Sequence, residues 1–425
     1  MMNTQRNFLF LQGPHGPFFR QLGRMLVAAG AGVQRVGFNA GDRAFWWHAD
    51  GYIPFTGDLA AWPDAFADIL MSNSITDIVV YGDTRPPHAI AIRQAKDAGI
   101  RVHVFEEGYL RPYWVTYERN GSNGYSQLMA LSIANIRSRL ARTGADIPVP
   151  PAHWGDMRQH IFYGALYHWF ILFRNGKYPH FRPHRALAIR REALLYSKRL
   201  ALMPYFAAER EIATRRIKKS SYPFHIALLQ LEHDASFQAH SDFDDMESFL
   251  RVVIDGFADG ARPHHHLVFK AHPLENGQSP IRQMIKEMAE GRGISDRVHY
   301  VRGGKLAALL DQARSAVTVN STAGQQALWR GIPLKAFGTA VYSKPEFVSD
   351  QPIAEFFANP TRPDTAAYRD YRRFLLETSQ IPGGFYSVTG RRQLMRHVVD
   401  AMLSPDGPYD LTVLSSLQSQ PAVTK

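Results

Sequence analysis

The sequence contains no cysteine, which excludes disulfide bonds and thiol chemistry in this chain. It also contains no long apolar run. The most apolar stretch, residues 161–173, includes His168 and is shorter than the roughly 20 residues that a membrane-spanning helix needs. Residues 1–6 are polar and lead directly into a strand-like run, so we expect no signal peptide. These absences predict a cytoplasmic protein that is soluble or peripheral to a membrane.

Acidic residues are fewer than basic ones. The chain has 38 Asp and Glu against 49 Lys and Arg, which gives a formal net charge of +11. Such an excess favours an anionic partner: a nucleic acid, an anionic lipid, or an acidic or phosphorylated substrate. The sequence has no zinc-ligand spacing and no recognisable DNA- or RNA-binding motif, so we expect neither a metal site nor a nucleic-acid partner.

Two stretches of the chain, residues 1–150 and 222–345, alternate short apolar runs with helical patterns. This alternation is typical of doubly wound α/β domains, and a length of 425 residues also favours two domains. Residues 346–403 have a helical pattern, and the polar residues 404–425 are expected to form a disordered tail. The predicted fold class is therefore α/β, with two Rossmann-like domains.

Residues 151–221, the basic aromatic segment, separate the two predicted domains. Basic side chains outnumber acidic ones there, aromatic residues are interleaved with them, and the pattern is helical. One interpretation is a helix that lies on an anionic membrane, because aromatic residues settle at the headgroup level while Lys and Arg attract anionic lipid. The other is a helical layer between the domains with a basic outer face.

The stretch most suggestive of chemistry is Phe-Glu-Glu-Gly-Tyr-Leu-Arg-Pro at residues 105–112. Its carboxyl pair, Glu106 and Glu107, is predicted to lie just beyond the carboxyl end of an apolar strand. Open α/β sheets usually bind ligands at that edge. The pair is either a site or a solvated loop. The apolar strand before it, and the glycine, aromatic and arginine after it, favour a site.

Two turns are candidate anion or substrate sites. The first follows the first predicted strand: a glycine-rich turn with Gly13 and His15 leads into a predicted helix. This arrangement fits either an anion site at a helix amino terminus or a plain tight turn. In the second domain, a strand runs into Asn-Ser-Thr-Ala-Gly. Ser321 and Thr322 are predicted to cap the next helix, and Gly324 to allow close backbone approach to a phosphate. The alternative is an ordinary capped helix without a ligand.

Six motifs occur in order and resemble those of one family. They are the Gly-Pro-His-Gly turn at residues 10–20, YGD-x-RP at 81–86, FEEGYLRP at 105–112, Q-x-x-x-D-x-S at 230–236, K-x-HP at 270–273 and NST-x-G-x-x-AL at 320–328. Together they resemble the bacterial capsular polysaccharide biosynthesis and export family typified by KpsS and LipB. The resemblance covers about residues 7–340, and FEEGYLRP is its most specific part.

This resemblance implies a retaining β-Kdo glycosyltransferase with its two Rossmann-like domains in a GT-B-like arrangement and the basic helical segment between them. The first domain would carry acceptor and catalytic groups, and the second would bind the nucleotide. The implied donor is CMP-Kdo, with no cofactor or metal. The implied acceptor is a (lyso)phosphatidylglycerol-type lipid on the inner face of the cytoplasmic membrane, where the enzyme would start the poly-Kdo linker of a capsule beside other capsule assembly and export proteins.

The resemblance also implies roles for individual residues. Asp234 is the expected nucleophile and Glu106 the expected acid/base, with Glu107 as its alternate, because double displacement needs one ionised and one protonatable carboxyl group. Kdo carries its own carboxylate, so Arg111 or Arg85 is expected near the anomeric carbon. The remaining expected contacts are, for the nucleotide, Lys270, His272, Pro273, Asn320, Ser321, Thr322 and Gly324, and for the substrate, Gly13 and His15.

Two other functions stay open at this point. The NST-G turn suits any nucleotide-sugar enzyme of similar fold, including another transferase or a non-hydrolysing epimerase. A non-catalytic adaptor for capsule export is a different class altogether. Carboxylates at strand ends argue against the adaptor, because binding alone does not require them.

Overall fold

The structure, a computed structural model, describes residues 5–47, 50–141, 157–182, 202–232, 234–273, 275 and 279–410. The chain divides into two compact units, Met1–His184 with Arg372–Lys425, and Arg185–Tyr371. Each unit contains a parallel or mainly parallel sheet flanked by helices, which confirms the predicted α/β class.

The elements are numbered along the chain. The strands are β1 Asn7–Phe10, β2 Gly32–Gly37, β3 Tyr52–Pro54, β4 Asp77–Tyr81, β5 Arg101–Glu107, β6 Trp114–Arg119, β7 Phe224–Leu228, β8 His266–Lys270, β9 Val298–Val301, β10 Ala313–Thr318, β11 Leu334–Ala336 and β12 Gln380–Pro382. The α-helices of the described ranges are α1 Phe18–Ala28, α2 Ala40–Ala44, α3 Trp62–Ser72, α4 Pro86–Asp97, α5 Ile133–Leu140, α6 Met157–Arg174, α7 Met203–Lys219, α8 Ala235–His240, α9 Met246–Gly260, α10 Ile281–Gly291, α11 Ala307–Leu310, α12 Gly324–Trp329, α13 Ile353–Ala358, α14 Thr365–Glu377 and α15 Val388–Leu403. In the described part of the chain, no helix is long and apolar enough to cross a membrane.

The sheet of the first unit has the order β3-β2-β1-β4-β5-β6-β12. Strands β3 to β5 run parallel, and β6 and β12 complete one edge in antiparallel pairing. Successive side chains of a strand point to opposite faces, so Phe8 and Phe10 enter one hydrophobic cluster while Leu9 and Leu11 enter the other. Both faces are covered, which is why this strand is apolar at nearly every position.

The sheet of the second unit has the order β11-β10-β7-β8-β9, and all its pairs are parallel. Leu228 lies beside Lys270 on one side and Thr318 on the other, at the carboxyl ends of the three central strands. The residues that follow these strands therefore emerge at one edge of the sheet. This carboxyl-end edge is where open α/β sheets usually bind ligands, and where the nucleotide was expected.

Four predictions about elements were wrong or incomplete. Glu106 and Glu107 are the last two residues of β5, not loop residues, because β5 continues in antiparallel pairing with β6. Strands β3 and β6 were not predicted, and β12 lies in a region expected to be only helical. Residues 404–410, expected to be disordered, are held to the first unit at Tyr409, which is 2% exposed and whose ring stacks on Phe374. Residues 411–425 lie outside the described residues.

The basic aromatic segment contains α6 and α7, so its predicted helical character is confirmed where it is described. Helix α6 belongs to the first unit and α7 to the second. The basic residues between them, from Arg185 to Arg199, lie outside the described residues.

Candidate active site

The side chain of Glu106 lies at the carboxyl end of β5, where it accepts a hydrogen bond from the backbone N–H of Glu107 (3.0 Å). Burial raises the pKa of Glu106 to about 7, and the negative charges of Asp83 and Glu107 act in the same direction. The hydrogen bond and the positive charge of Arg111 oppose this rise. A carboxyl group with this pKa is present in both protonation states near neutral pH, which suits a general acid/base.

Two tyrosines hold the neighbouring Glu107. The hydroxyl groups of Tyr81 and Tyr386 donate to its Oε1 at 3.1 and 3.2 Å. Burial and the charge of Glu107 keep the pKa of Tyr81 well above its ordinary value, so the phenol stays a donor. Sequence analysis missed Tyr386, which lies 279 residues from Glu107 and carries no local pattern that points to it.

The YGD-x-RP and FEEGYLRP motifs come together because β4 and β5 are paired, with Tyr81 opposite Phe105. Asp83 is buried and accepts a hydrogen bond from the backbone of Ser122 (2.6 Å). The guanidinium group of Arg85 lies over the Tyr81 ring, 5.4 Å from its centroid. Arg111 is exposed and donates to the carbonyl of Gly108 (3.2 Å). Both predicted arginines therefore lie in motifs that end at the same edge of the sheet as the carboxyl pair.

The turn with Gly13 and His15 is closely packed. A Cβ atom at Gly13 would lie 2.5 Å from the Phe19 ring, so this glycine is required by packing. The ring of His15 stacks on Tyr167 of α6 at 4.4 Å between centroids. These contacts explain the turn structurally, and substrate binding by these two residues stays a prediction.

In the second unit, Asp234 caps α8: its side chain accepts a hydrogen bond from the backbone N–H of Ser236 (3.0 Å). This contact accounts for the D-x-S part of the motif. Gln230 and Asn320 form a reciprocal pair, because the Gln230 amide donates to Asn320 Oδ1 (2.7 Å) and accepts from the Asn320 backbone (2.9 Å). The Asn320 amide also donates to the carbonyl of Ser236 (2.8 Å). The structure thus joins the motifs around Gln230 and Asn320.

Lys270, at the end of β8, is a buried cation. It is 5% exposed, and its ammonium group donates to the carbonyl of Ala271 (3.2 Å). Burial lowers its pKa to about 8, and the charge of Arg210 adds to the effect. Among the described residues no carboxylate forms an ion pair with it. A buried cation without a counter-charge is a good anion ligand, and His272 and Pro273 follow it on the same turn.

The predicted cap of the NST-G turn is wrong. Helix α12 begins after Ala323, which makes no side-chain cap, and the Ser321 hydroxyl instead accepts a hydrogen bond from the Ala323 backbone (3.2 Å). The side chain thus stabilises a local turn two residues along rather than the helix end. Gly324 does allow a close approach to its backbone, but the group that approaches is the hydroxyl of Tyr342. A Cβ atom added at Gly324 would lie only 2.7 Å from that hydroxyl.

We expect Gly324→Ala to lower the free energy of unfolding by about 1–3 kcal/mol, because the buried Tyr342 hydroxyl donates to the Ser321 carbonyl and has no room to move away. Urea unfolding measures the loss, which should shrink in a Tyr342→Phe background. The matched control is Gly291→Ala at the end of α10, where a Cβ atom meets nothing within 4 Å. Equal losses at both glycines would contradict the packing explanation.

Residues 76–386 match the profile of a family described as "Capsule polysaccharide biosynthesis protein". The chain belongs to this family, as its motifs predicted. The matched range includes the carboxyl pair, Asp234, Lys270 and, at its last position, Tyr386, but not the turn with Gly13 and His15.

Two kinds of relative are similar over nearly the whole chain. The capsule polysaccharide modification protein LipB of Neisseria meningitidis is 34% identical over 400 residues, which are 91% of this chain and 93% of LipB. The capsule polysaccharide export protein KpsS of Escherichia coli is 29% identical over 386 residues, 90% of this chain and 97% of KpsS. Among solved structures, the β-Kdo 2,7 transferase of Thermosulfurimonas dismutans KpsC covers 93% of this chain and 99% of its own at 11% identity, with a TM-score of 0.45.

Proposed function

We propose that this protein is a retaining β-Kdo glycosyltransferase. It transfers Kdo from CMP-Kdo to a (lyso)phosphatidylglycerol-type lipid and so starts the poly-Kdo linker of a capsular polysaccharide. The observation that carries this proposal is Glu106, a carboxyl group whose pKa burial raises to about 7, beside the firmly held Glu107 in a capsule biosynthesis protein. Retaining transfer through a covalent intermediate needs such a protonatable group and a separate carboxylate nucleophile.

The groups have the following roles in this reaction. Asp234 is the nucleophile that attacks the anomeric carbon as CMP leaves. The acceptor hydroxyl then displaces Asp234 from that carbon, and Glu106 takes the hydroxyl proton. Arg85 or Arg111 neutralises the carboxylate of Kdo. The reaction uses no cofactor or metal ion. The enzyme works as a peripheral protein on the inner face of the cytoplasmic membrane, together with other capsule assembly and export proteins.

On the donor side, Lys270 is proposed to bind the phosphate of CMP, with His272, Pro273 and the turn from Asn320 to Gly324 around the nucleotide. The buried ammonium group of Lys270, which forms no ion pair with a carboxylate in the described part of the chain, supports this role, because charge-assisted hydrogen bonds to phosphate are stronger than neutral ones. The net charge of +11 suits an anionic donor and an anionic acceptor.

Thermal-shift measurements with CMP, UDP and GDP test the donor directly. We expect CMP to stabilise the protein most, by about 2.7 kcal/mol at a concentration near 100 times its dissociation constant. Transfer is then measured with CMP-Kdo and lysophosphatidylglycerol, and the anomeric configuration of the product by NMR. A shift selective for UDP would indicate another nucleotide-sugar enzyme, and no shift with any nucleotide would favour an adaptor.

Lys270→Met should weaken CMP binding about 10- to 100-fold, because it removes charge-assisted hydrogen bonds worth about 1.5–3 kcal/mol. In the wild-type protein, CMP affinity should fall as the pH rises above about 8, because the Lys270 ammonium group then loses its proton. Lys335→Met is the matched control, since Lys335 is a partly buried lysine of β11 in the same sheet. Equal effects of the two substitutions would argue against phosphate binding by Lys270.

A further inference from the structure

Helix α6 carries a row of exposed apolar side chains. The exposed fractions are 62% for Ile161, 60% for Phe162, 45% for Trp169, 36% for Leu172 and 67% for Phe173. With 3.6 residues per turn, these positions share one face of the helix. We call this face the α6 stripe. Large apolar side chains are usually buried, and a continuous exposed row of them marks an interaction surface.

The opposite face of α6 fixes the helix to the first unit. The Tyr167 hydroxyl accepts a hydrogen bond from the Asn39 amide (2.7 Å), and the Tyr167 ring stacks on His15. Ile171 is buried, and the ring of Tyr163 lies close to the backbone of Gly16. Helix α6 is therefore apolar on both faces, and one face is held by the protein while the stripe faces solvent. A helix that is apolar all round belongs in a core or against a membrane.

The charges around the stripe fit a phospholipid surface. Residues 157–182 contain no Asp or Glu. Three exposed basic residues lie at or just beyond the ends of α6, Arg158 at one end and Arg174 and Lys177 at the other. Apolar side chains in the middle of a helix enter the boundary between headgroups and acyl chains, while long basic side chains near its ends reach phosphate groups.

We propose that the α6 stripe is a membrane-docking surface that lies in the plane of an anionic phospholipid bilayer. From Ile161 to Phe173 the stripe is about 18 Å long, at a rise of about 1.5 Å per residue. An apolar row of this length, in a segment without acidic residues, docks through insertion of its side chains and through attraction of its basic ends to the headgroups.

The same helix contacts the candidate active site. His160 of α6 lies against Tyr386, with 4.3 Å between ring centroids, and the Tyr386 hydroxyl donates to Glu107. A membrane on the stripe would thus be separated from Tyr386 by roughly one helix diameter, about 10–12 Å, and the Tyr386 side chain spans the remaining distance to Glu107. The docking surface stands on α6 alone. If the proposed function holds, docking through the stripe also brings a lipid acceptor close to Glu107.

Sedimentation of the full chain with vesicles tests the surface. One set contains equal parts of phosphatidylglycerol and phosphatidylcholine, and the other contains phosphatidylcholine alone. We expect the wild type to bind the anionic vesicles more strongly, and the combined Phe162→Gln, Trp169→Gln and Phe173→Gln variant to bind them at least about tenfold more weakly. The matched control combines Val27→Gln, Leu59→Gln and Met71→Gln, three exposed apolar residues of the same unit away from α6, and should bind as the wild type does.

A second measurement does not depend on how well the triple variant folds. Brominated lipids quench tryptophans that enter the bilayer, and Trp169 is one of the seven in the chain. Trp169→Phe should keep vesicle binding and lose a large part of the quenching. Unchanged quenching in this variant, or no vesicle binding by the wild type, would overturn the proposal.

The basic end of α7 provides the comparison that identifies the docking helix. If neutralising Arg215, Arg216, Lys218 and Lys219 removed vesicle binding while the α6 triple variant kept it, the surface would lie on α7 and the proposal would be wrong. Transfer by the wild type to detergent-solubilised lysophosphatidylglycerol is measured separately. Its absence would contradict the proposed function but leave the docking surface standing.

Discussion

Glu106→Gln is expected to reduce the rate of Kdo transfer by about 100- to 10,000-fold, the usual contribution of a general acid/base. Glutamine keeps the shape of the side chain and its acceptor oxygen for the Glu107 backbone N–H. It cannot take the proton of the acceptor hydroxyl. The expected loss is therefore in the chemical step, with the affinity for CMP preserved.

The same substitution should stabilise the fold at high pH. Burial raises the pKa of Glu106 from its ordinary value of 4.5 to about 7, so ionising this group in the folded protein is unfavourable. Its raised pKa makes the wild type lose stability as the pH rises from about 4.5 to 7, and the penalty is fully present above pH 7. Glutamine removes it. The difference in melting temperature between variant and wild type should thus grow through this range and then level off.

Glu118→Gln is the matched control for Glu106. Glu118 lies on β6, its pKa is also raised to about 7 by burial, and its carboxyl group accepts a hydrogen bond from Ser126. We expect this variant to retain transfer activity. Loss of activity in both variants would mean that removal of a buried carboxyl group disturbs the sheet, and full activity of Glu106→Gln would remove Glu106 from the mechanism.

Asp234→Asn is expected to lower transfer by at least about 1,000-fold, because enzymes that lose a covalent nucleophile commonly lose several orders of magnitude in rate. Asparagine is the informative replacement, since it caps helices as well as aspartate does. The hydrogen bond from Ser236 that fixes the start of α8 is therefore kept. Alanine would remove the cap as well, at a cost of about 1 kcal/mol, and would confuse the two effects.

The chain contains a matched control for this substitution. Asp245 also caps a helix of the same unit, α9, where its side chain accepts a hydrogen bond from the Ser248 backbone (2.8 Å). Asp245→Asn should leave both transfer and melting temperature close to those of the wild type. The nucleophile assignment is wrong if Asp234→Asn is fully active. Mass spectrometry of trapped protein offers a direct check, because the covalent Kdo adduct should be absent from this variant.

The strands of both sheets were largely predictable because each follows a local apolar pattern that ends at glycine or polar residues. Strand β6 was not, because its aromatic run lies between turn residues and resembles a loop. The two faces of α6 were also unpredictable in detail. A helix that is apolar all round has no amphipathic period from which the buried side can be chosen.

The candidate site was predictable only where its residues are close in sequence. Glu106, Glu107 and Asp83 lie in motifs at the ends of neighbouring strands, and parallel pairing brings those ends together. Tyr386 reaches Glu107 from the far end of the chain, and no periodicity reports such a contact. The Ser321 cap failed for a different reason: a serine before a helix can stabilise either the helix end or a tighter turn, and the sequence does not distinguish them.

The position of β12 and Tyr386 has a consequence for biosynthesis. The first unit is interrupted by the whole of the second, so its edge strand β12 and the Tyr386 hydroxyl that donates to Glu107 leave the ribosome only after the second unit. Domains usually fold in the order of their synthesis, at about 5–20 residues per second. Here the amino-terminal unit has to wait while residues 185–371, nearly half of the chain, are translated. A nascent chain that stalls before Gln380 therefore lacks both edge strand β12 and the Tyr386 hydroxyl that binds Glu107, even if residues 1–184 have already folded.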